Sequence, residues 1–505
     1  MIRKIATLIA GLAVILGAIL IGRTFLIGPS SLAEVEPASS INIDSRAAAS
    51  RLADAVRIKT VSYSIDASVE GNAMRAFHAH LETSFPKVHA SLTRETVNAY
   101  SLLYTWEGTD PSLKPILISA HIDVVPVEPG TENDWDYSPF SGEISDGFIW
   151  GRGTLDVKQS ILGVLEAVEI LVAEGFIPNR TIYLAFGHDE EIGGQKGAAA
   201  ISKLLVDRGV RLEFVLDEGS VITEGIVPGV TRPAAIIGLT EKGIGNFMLV
   251  ATGEGGHSSR PPKQTVVGAI GRAVADLQDN PMPARLQSPV SGMFNYLAPE
   301  MPFTTRLILA NRWLFEPLLL RRLSNGLATN ASIRSTITPT IIRGGVKANV
   351  IPQEAAAVVN VRLLPGDTFD DILRHVSEAT GAVIEDDVQE QGNHDAEPKL
   401  VIRRTSEQVW EAAPVSEMGS PSFTILMQTI QQVFPDVAIA PGMVLGATDS
   451  RHYQDSADNT YRFVPMRLTN DDLSRIHGTN ERISIGNYTE IIRFYAQLMR
   501  NTAMH

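Results

Sequence analysis

The feature that most constrains the fold of this chain is an apolar run at Pro115–Ala120 that leads directly into His121 and Asp123. A short apolar run that ends in polar residues is typical of a buried β-strand. Imidazole and carboxylate groups suit zinc, and one carboxylate can bridge two ions about 3.5–4 Å apart. Further residues of these types follow other apolar runs or turns: Asp156, Glu190, Glu191, Asp217 and His477.

Strand-like and helix-like segments alternate between residues 45 and 237. Strands are predicted at Pro115–Asp123, Thr181–His188 and Glu213–Asp217, and a helix with apolar residues at helical spacing is predicted at Val157–Phe176. This alternation predicts an α/β domain with a parallel or mixed sheet, in which sites form beyond the carboxyl ends of the strands. Because the candidate ligands lie at such ends, we expect them to form one site.

The pattern changes after residue 237 and predicts an inserted domain at 238–405. The first domain, begun at residues 45–237, is expected to resume at 406–505. More than one domain is expected because a chain of 505 residues is longer than a single hydrophobic core usually supports. Strands and helices of the insertion are predicted at Asn246–Thr252, Thr265–Gln278, Ser335–Ile342, Glu354–Leu364 and Phe369–Ala379. The sequence places the resumption of this domain near Pro421–Val433 and predicts that it ends with a helix at Tyr488–Asn501.

The N-terminal 29 residues differ in kind from the rest. Arg3 and Lys4 precede an uncharged apolar run at Ile5–Gly22, which is close to the roughly 20 residues needed to span a bilayer. We predict an uncleaved, single-pass membrane anchor followed by a polar linker at 30–44; a cleaved signal and a buried helix are the alternatives. The basic residues predict a cytoplasmic N terminus and an extracytoplasmic body, which would be secreted if the segment were cleaved.

Charge and cysteine content exclude several classes of function. A formal net charge of −14 argues against nucleic acid as a partner, since nucleic acid selects basic surfaces. The chain contains no cysteine, which excludes disulfides, thiolate metal sites and a cysteine nucleophile.

Each candidate ligand also has an ordinary structural explanation. Asp156 is a suitable helix N-cap, Glu190 and Glu191 are suited to a solvated loop, and His477 is suited to a helix C terminus. Their common position at strand ends and turns of one α/β domain favours a metal site instead.

Nine motifs, spread from about residue 50 to the C terminus, together resemble metallopeptidase family M20. Within that family they resemble the branch of carboxypeptidase S and the N-acyl-amino-acid synthase/hydrolases. Val157 departs from an acidic residue that is common at its position, which is not a ligand in the family. The motifs are SAHIDVVP (119–126), GRGTLDVKQS (151–160), GHDEEIGG (187–194), DEG (217–219), GHSSRPP (256–262), VKANVIP (346–352), VNVRLLPG (359–366), TDSRHY (448–453) and RIHGTNERIS (475–484).

The resemblance implies a zinc-peptidase-like catalytic domain with a mixed central sheet and an inserted α+β lid domain. It also implies two divalent metal ions, with zinc as the expected metal. In the implied arrangement Asp156 bridges the ions, His121 and Asp217 complete one site, and Glu191 and His477 complete the other. Glu190 would be the general base, and Asp123 would orient His121.

Residues of the lid would act on the substrate. The resemblance makes His257 a donor to the oxyanion, an interaction of about 3–4 kcal/mol in the transition state. Arg362 would bind a substrate carboxylate in bidentate fashion, with Asn349 as its neighbour. Asp449 and Arg451 are weaker candidates for lining the site.

These residues together predict a dinuclear metal-dependent amidohydrolase. Its substrate would carry a free C-terminal carboxylate and be either a peptide or an N-acyl amino acid. The alternative is a non-catalytic receptor or scaffold on the same fold, which the presence of every ligand and of the base argues against. The apolar segment Leu297–Leu323 is expected to pack the core of the lid, with accommodation of an acyl chain as the alternative. A homodimer through the lid is compatible with this interpretation.

Overall fold

The computed structural model describes residues 1–27, 35–64, 71–385, 398–405 and 409–503. Part of the predicted linker, residues 30–34, and the start of the resumed domain, residues 406–408, lie outside the described residues. In chain order the strands are β1 (Thr93–Val97), β2 (Ser101–Trp106), β3 (Ile116–His121), β4 (Glu143–Ser145), β5 (Phe148–Trp150), β6 (Ile182–Gly187), β7 (Leu212–Asp217), β8 (Ile222–Thr223), β9 (Ala234–Glu241), β10 (Gly243–Thr252), β11 (Gly256–His257), β12 (Thr336–Gly344), β13 (Val350–Ile351), β14 (Glu354–Leu363), β15 (Val383–Ile384), β16 (Lys399–Arg404), β17 (Ala438–Val444), β18 (Ala457–Arg462), β19 (Arg467–Leu468) and β20 (Arg482–Ser484).

The α-helices begin with one apolar N-terminal helix and are otherwise distributed over both domains. In chain order they are α1 (Ile2–Leu26), α2 (Ser45–Arg57), α3 (Gly71–Ser84), α4 (Pro86–Ser91), α5 (Lys158–Ala173), α6 (Ala198–Asp207), α7 (Val266–Asp279), α8 (Val290–Leu297), α9 (Phe303–Ala310), α10 (Arg312–Leu323), α11 (Leu327–Ile333), α12 (Phe369–Thr380), α13 (Pro421–Val433), α14 (Asn470–Leu473) and α15 (Ile485–Ala503).

A mixed sheet lies at the centre of the main domain. Within the described residues it contains ten strands in the order β1-β2-β6-β3-β7-β18-β9-β8-β19, with β17 parallel to β9. Its central strands β6, β3, β7 and β18 are mutually parallel. The carboxyl ends of β3, β6 and β7 therefore lie along one edge, and His121 and Asp217 are the last residues of β3 and β7. The predicted mixed α/β sheet is confirmed.

Helices cover both faces of the main sheet. On one face α2, α5, α13 and α15 contribute to the largest apolar core, and on the other α6 packs beside β2 and β6. Helix α5 forms because Ile161, Leu165 and Val168 recur at helical spacing, and all three are completely buried. Each such burial contributes about 1.5–3 kcal/mol.

The segment predicted to be an inserted lid domain has its own sheet and its own core. Its strands follow the order β12-β14-β10-β16-β15, and α7 and α12 pack on one face. Alternate residues of β14 are buried, as expected of a sheet with one covered face. The main sheet ends at Glu241 in β9, and the lid sheet starts at Gly243 in β10, so Lys242 is the junction.

The helices α8–α11 form a third apolar cluster, which lies against the main domain. Leu309, Leu319 and Leu323 from these helices cluster with Ala438 and Ala440 of β17. The expectation that Leu297–Leu323 packs the core of the lid is therefore wrong. A sequence pattern shows that a segment is apolar, but it does not show which sheet that segment covers.

The N-terminal helix α1 is long and apolar enough to cross a membrane. It has 25 residues and a mean hydropathy of 2.6 over its most apolar window, and no residue of that window is buried. A signal sequence can have the same length and the same apolar composition. Its last turns contact the main body: Asn311 donates to the carbonyl oxygen of Leu20 at 3.0 Å, and Arg23 donates to that of Ala310 at 3.2 Å.

Candidate metal centre

Two groups of metal-ligand side chains meet at the carboxyl edge of the main sheet and share Asp156. His121, Asp156 and Glu218 form one group, and the ligand atoms within each group lie within 4.8 Å of one another. Nε2 of His121 is 3.1 Å from Asp156 and 3.3 Å from Glu218. Asp156 also joins the second group, with Glu191 and His477. Nε2 of His477 is 2.9 Å from the other Asp156 oxygen and 3.5 Å from Glu191.

The backbone of Asp123 fixes the orientation of His121. Nδ1 of His121 is 2.8 Å from the carbonyl oxygen of Asp123, and a carbonyl only accepts, so Nδ1 carries the proton. Nε2 then presents a lone pair toward Asp156 and Glu218, as a metal ligand must. The Asp123 carboxylate is farther from His121, at 3.4 Å. The orienting role expected of Asp123 thus comes first from its main chain.

The Asp123 carboxylate instead holds the turn that carries the two adjacent glutamates. It accepts hydrogen bonds from the backbone N–H groups of Glu190 at 3.1 Å and Glu191 at 3.3 Å. In this short 3-10 turn, Glu191 joins His477 and Asp156, whereas Glu190 belongs to neither ligand group. The two carboxylates are therefore separated, and Glu190 remains free to act on a substrate or water.

The end of the same turn is held by the TDSRHY segment. Gly193 adopts a positive φ of 110°, and its carbonyl oxygen accepts from Nη2 of Arg451 at 3.1 Å and lies 3.0 Å from Nε2 of His452. The Arg451 guanidinium also stacks over the Trp410 ring, 5.3 Å from its centroid. The buried Asp449 carboxylate lies against Gly194, where an added Cβ would fall 2.0 Å from its Oδ1. This segment supports the turn that carries Glu190 and Glu191.

A buried ion pair holds the loops of Asp156 and His477 together. Arg152 pairs with Glu481, and both side chains are at most 2% exposed. Glu481 accepts the backbone N–H groups of Gly153 and Leu155, each at 2.8 Å, and Arg152 donates to the carbonyl oxygen of His477 at 2.9 Å. Neither residue was identified from the sequence, although both lie inside motifs that carry the resemblance.

The third carboxylate beside His121 is Glu218, which the sequence analysis did not select. The predicted ligand Asp217 is the last residue of β7, is buried, and is absent from both ligand groups of the described residues. Its Oδ2 has no hydrogen-bond partner in the described part of the chain. Glu218 follows the end of the strand and lines the cavity at the site. The assignment of Asp217 as a ligand stays a prediction.

Burial and crowding of like charges dominate the electrostatics of the site. Burial raises the pKa of Glu218 to about 8 and that of Glu190 well above its ordinary range. Burial opposes ionisation of Asp156 as well, but hydrogen bonds to His121 and His477 outweigh it and lower the Asp156 pKa. Hydrogen bonds to Asp156 and Glu191 raise the pKa of His477 to about 10.

These residues fit a pair of divalent cations. Each group offers imidazole nitrogen and carboxylate oxygen, a donor set that suits zinc. Within the described residues, Oε1 of Glu191 and Oδ2 of Asp217 are buried without a hydrogen-bond partner, and such carboxylate oxygens require a cation or a donor. One shared carboxylate, Asp156, is positioned between the groups as a bridging ligand would be.

The predicted lid residues fall at the two ends of the lid sheet. Arg362 lies in β14 opposite Ile244, beside the junction with the main domain. His257 and Asn349 belong to the hairpin beyond the other end of β10, where Ser258 donates to the carbonyl oxygen of Asn349 at 3.1 Å. Because β10 has ten residues, about 30 Å of strand separates these ends. Asn349 is therefore not a neighbour of Arg362 within one chain, contrary to expectation.

An open cavity of about 560 Å³ adjoins the metal ligands. Asp156, Glu190, Glu191, Glu218 and His477 line one side of it. The rest of its lining is largely apolar and comes from the main sheet, its connecting loops and α11, including Val221, Ile236, Ala328, Met443, Leu445, Met466 and Ile476. The site thus combines a polar metal-binding edge with an apolar wall.

The sequence matches the model of Peptidase family M20/M25/M40 over residues 117–501. The chain belongs to peptidase family M20. This M20 protein is 42% identical, over 90% of its length, to the probable carboxypeptidase S-like 2 of Dictyostelium discoideum, 85% of which is covered. It is 40% identical, over 99% of its length, to the N-fatty-acyl-amino acid synthase/hydrolase PM20D1 of Bos taurus, 97% of which is covered. The predicted family and branch are confirmed.

The fold is also that of solved M20 structures. The M20 family metallo-carboxypeptidase Sso-CP2 from Sulfolobus solfataricus superposes with a TM-score of 0.60 at 14% identity, covering 92% of this chain and all of the other. Family membership and the named relatives make this M20 protein an enzyme, a metallopeptidase or amidohydrolase with residues able to bind metal. The alternative of a non-catalytic receptor or scaffold is set aside.

Proposed function

We propose that this enzyme is a dinuclear metal-dependent amidohydrolase that cleaves the amide bond of N-acyl amino acids. The observation that carries the proposal is the pair of ligand groups sharing Asp156, beside an unliganded Glu190, at the edge of a cavity with an apolar wall. The name of the relative from Bos taurus, an N-fatty-acyl-amino acid synthase/hydrolase, supports this substrate class. Zinc is the metal that the donor set favours.

Two divalent ions, held by His121, Asp156, Glu191, His477 and either Glu218 or Asp217, would polarise the substrate carbonyl and lower the pKa of water toward neutrality. The Glu190 carboxylate takes a proton from the attacking water and returns it to the nitrogen of the leaving amine. Burial raises the pKa of Glu190, which strengthens this carboxylate as a base toward the water. Asp123 keeps Glu190 in place through the backbone of the turn.

His257 is suited to donate a hydrogen bond to the oxyanion. Nδ1 of His257 accepts the backbone N–H of Ser259 at 3.1 Å, so in the neutral ring Nε2 carries the proton. The residue is exposed at the far end of the lid. Its action on a substrate requires either a large movement of its own lid or the lid of a second copy. A homodimer through the lid meets this requirement, and sedimentation of the detergent-solubilised chain tests it.

Arg362 is suited to bind the substrate carboxylate. Its guanidinium is half-buried and makes no hydrogen bond or ion pair in the part of the chain that the structure describes. Burial and the nearby Arg451 lower the pKa of Arg362, and the opposing effect of Glu241 is smaller. The guanidinium therefore lies in a positively charged environment. Arg451 in turn contacts the turn of Glu190 through Gly193. A free carboxylate would supply the missing partner in bidentate geometry.

A carboxypeptidase acting on peptides is the second candidate, supported by the name of the Dictyostelium relative. Both candidates require the same metals, the same base and the same carboxylate site. They differ only in the part of the substrate that contacts the apolar wall of the cavity. The test is a screen of the full-length, zinc-loaded protein against N-acyl amino acids of increasing chain length and against dipeptides. We expect kcat/KM to rise with acyl length; a preference for dipeptides at every length would favour the carboxypeptidase instead.

We also propose that α1 remains attached as a single-pass anchor with the catalytic body on the extracytoplasmic side. Arg3 and Lys4 at its start and the contacts of its last turns with α9 and Asn311 support this arrangement. Sequencing of the mature N terminus tests it: a mature protein that begins after residue 30 would instead be a secreted form.

A further inference from the structure

Helix α10 carries exposed apolar side chains in addition to those it buries. Leu319 and Leu323 point into the cluster against β17 and are at most 9% exposed. On the opposite face Leu314 and Leu318 are 41% and 57% exposed, and Trp313, on the flank of the helix, is 60% exposed. Large apolar residues that are exposed together on one surface often mark a contact with protein or with a membrane. The outward face therefore lacks a partner in the described chain.

The charge of the same segment is opposite to that of the whole protein. Residues 303–323 contain four arginines and one glutamate, a net charge of +3, in a chain whose formal charge is −14. Arg321 and Arg322 lie in the last turn of α10, beside the exposed leucines. Apolar side chains that include tryptophan, flanked by arginine, are typical of surfaces that enter the headgroup region of anionic membranes.

The N-terminal helix fixes where this face would lie relative to a bilayer. Asn311, between α9 and α10, bonds to the carbonyl oxygen of Leu20, and the Phe25 ring lies 6.0 Å from that of Phe303. Leu20 is six residues before the end of α1, or about 9 Å along its axis. The start of α10 is thus held alongside α1 below its outer end, and it would lie near the outer edge of the hydrocarbon core if α1 spans the bilayer.

We propose that α9 and α10 form a second membrane-contacting surface, which lies in the outer leaflet of an anionic bilayer beside α1. The continuity with α1, the unpaired apolar face and the local positive charge all favour a lipid surface as the occupant. A symmetric contact between the α10 helices of two copies would bring their arginines together, because α10 carries only one acidic residue, Glu316.

This surface also lies close to the substrate cavity. Ile236 and Met443 line that cavity and pack on the apolar cluster that contains α8–α11, and Ala328 of α11 lines the cavity directly. The cavity wall and the proposed lipid surface therefore belong to one apolar cluster, and we infer that an acyl chain of the outer leaflet enters the cavity on this side of the molecule. This entry route rests on the proposed function, whereas the contact with lipid does not.

The experiment uses tryptophan quenching by brominated phospholipids in the full-length protein. Trp106, Trp135 and Trp150 are buried, and Trp313 is the most exposed of the five tryptophans. Full-length wild type and Trp313→Phe are reconstituted in vesicles of phosphatidylcholine and phosphatidylglycerol, with or without bromine on the acyl chains. We expect bromolipid to quench the wild type more than Trp313→Phe. Equal quenching of the two proteins would overturn the proposal.

A variant with charged residues on the exposed face distinguishes contact with lipid from contact with a second copy of the chain. Leu314→Glu/Leu318→Glu should reduce quenching of Trp313, whereas Val206→Glu, at a 49% exposed apolar residue of α6, should not. Unchanged quenching with a shift from dimer to monomer in detergent would assign the face to a second copy and overturn the proposal. Because quenching needs no turnover, its failure is distinguishable from failure of the proposed function, which the substrate screen measures.

The route for the acyl chain has its own readout. In the charged variant kcat/KM should fall for a long-chain N-acyl amino acid dissolved in the vesicles and remain unchanged for a soluble short-chain one. Equal losses on both substrates would contradict entry from the lipid surface and indicate damage to the site or the fold.

Discussion

Arg152 and Glu481 form a buried ion pair that connects the loop of Asp156 to the loop of His477. Glu481→Gln should therefore weaken both metal sites, because one carboxylate positions ligands of both groups. We expect a loss of 10–100-fold in metal affinity and of about 3–5 kcal/mol in the free energy of unfolding, since Arg152 is left unpaired.

Competition with a chelating dye and denaturant unfolding measure these two effects. Glu490→Gln is the matched control, because Glu490 pairs with Arg467 at a part-exposed site and contributes about 0–1 kcal/mol. A stability loss in Glu481→Gln without a change in metal affinity would mean that the pair supports the fold alone.

Glu190→Ala should retain metal and lose turnover, because Glu190 belongs to neither ligand group. Loss of a general base predicts a decrease of about 10²–10⁴-fold in kcat. Metal content by elemental analysis and kcat on the best substrate are the measurements. Glu191→Ala, the adjacent residue, should instead lose metal. A kcat near that of wild type in Glu190→Ala would show that another group is the base.

Asp217→Asn and Glu218→Gln compare the two carboxylates available to the ion at His121. The 3.3 Å contact of Glu218 with His121 predicts that Glu218→Gln lowers metal content toward one ion per chain, while Asp217→Asn retains two. Both substitutions preserve side-chain shape, so elemental analysis of the purified variants is decisive. The opposite pattern would assign the ligand to Asp217, as the family resemblance implies.

Arg362→Leu should raise KM for substrates with a free carboxylate. Substrates whose carboxylate is amidated should be poor for the wild type and little affected by the substitution, because a contact that is absent cannot be lost. The measurement is kcat/KM for the acid and the amide with both proteins. Equal losses on the two substrates would indicate that Arg362 supports the fold or the lid.

Lys242 should make stability depend on pH. Burial lowers its pKa to about 7 from 10.5, so between those values the unfolded chain binds more protons than the folded one. The contribution of this group to the free energy of unfolding therefore rises with pH across that window, by at most about 1.4 kcal/mol per pH unit, and is least favourable below pH 7.

Denaturant unfolding of wild type and Lys242→Met at several pH values between 7 and 10 tests this. The wild type should gain stability relative to the variant as pH rises. Lys203→Met is the control, since Lys203 is exposed and pairs with Asp207. Parallel pH profiles for wild type and Lys242→Met would show that Lys242 stays charged, through its bonds to the carbonyl oxygens of Ala331 and Arg334.

The sheet, its helices and the residue types at the site follow from the sequence because each rests on a local pattern. The helix predicted at Tyr488–Asn501 lies within the observed helix α15, Ile485–Ala503. His121 and Glu191 come together because they lie at the ends of the parallel strands β3 and β6, which open on one edge of the main sheet. Asp156 and His477 reach that edge from loops beside the antiparallel pair β5 and β20. Side-chain periodicity predicts the strands and helices, and position at a strand end predicts which polar residues meet at the edge of the sheet.

Other features depend on geometry that no pattern encodes. Whether Asp217 or Glu218 faces His121 depends on how the backbone leaves β7. The pairing of Arg152 with Glu481 joins residues 329 positions apart. The destination of α9 and α10 was missed for the same reason, since apolar residues on a helix do not specify the sheet against which they pack.

The position of β18 between β7 and β9 has a consequence for biosynthesis. The main sheet stays divided until residues 457–462 have been made, and His477 and Glu481 are made later still. A growing chain therefore holds His121, Asp156 and Glu190 long before it can bring them together with their remaining partners. We therefore expect the protein to be inactive until its synthesis is nearly complete, and a chain truncated before β18 to remain inactive.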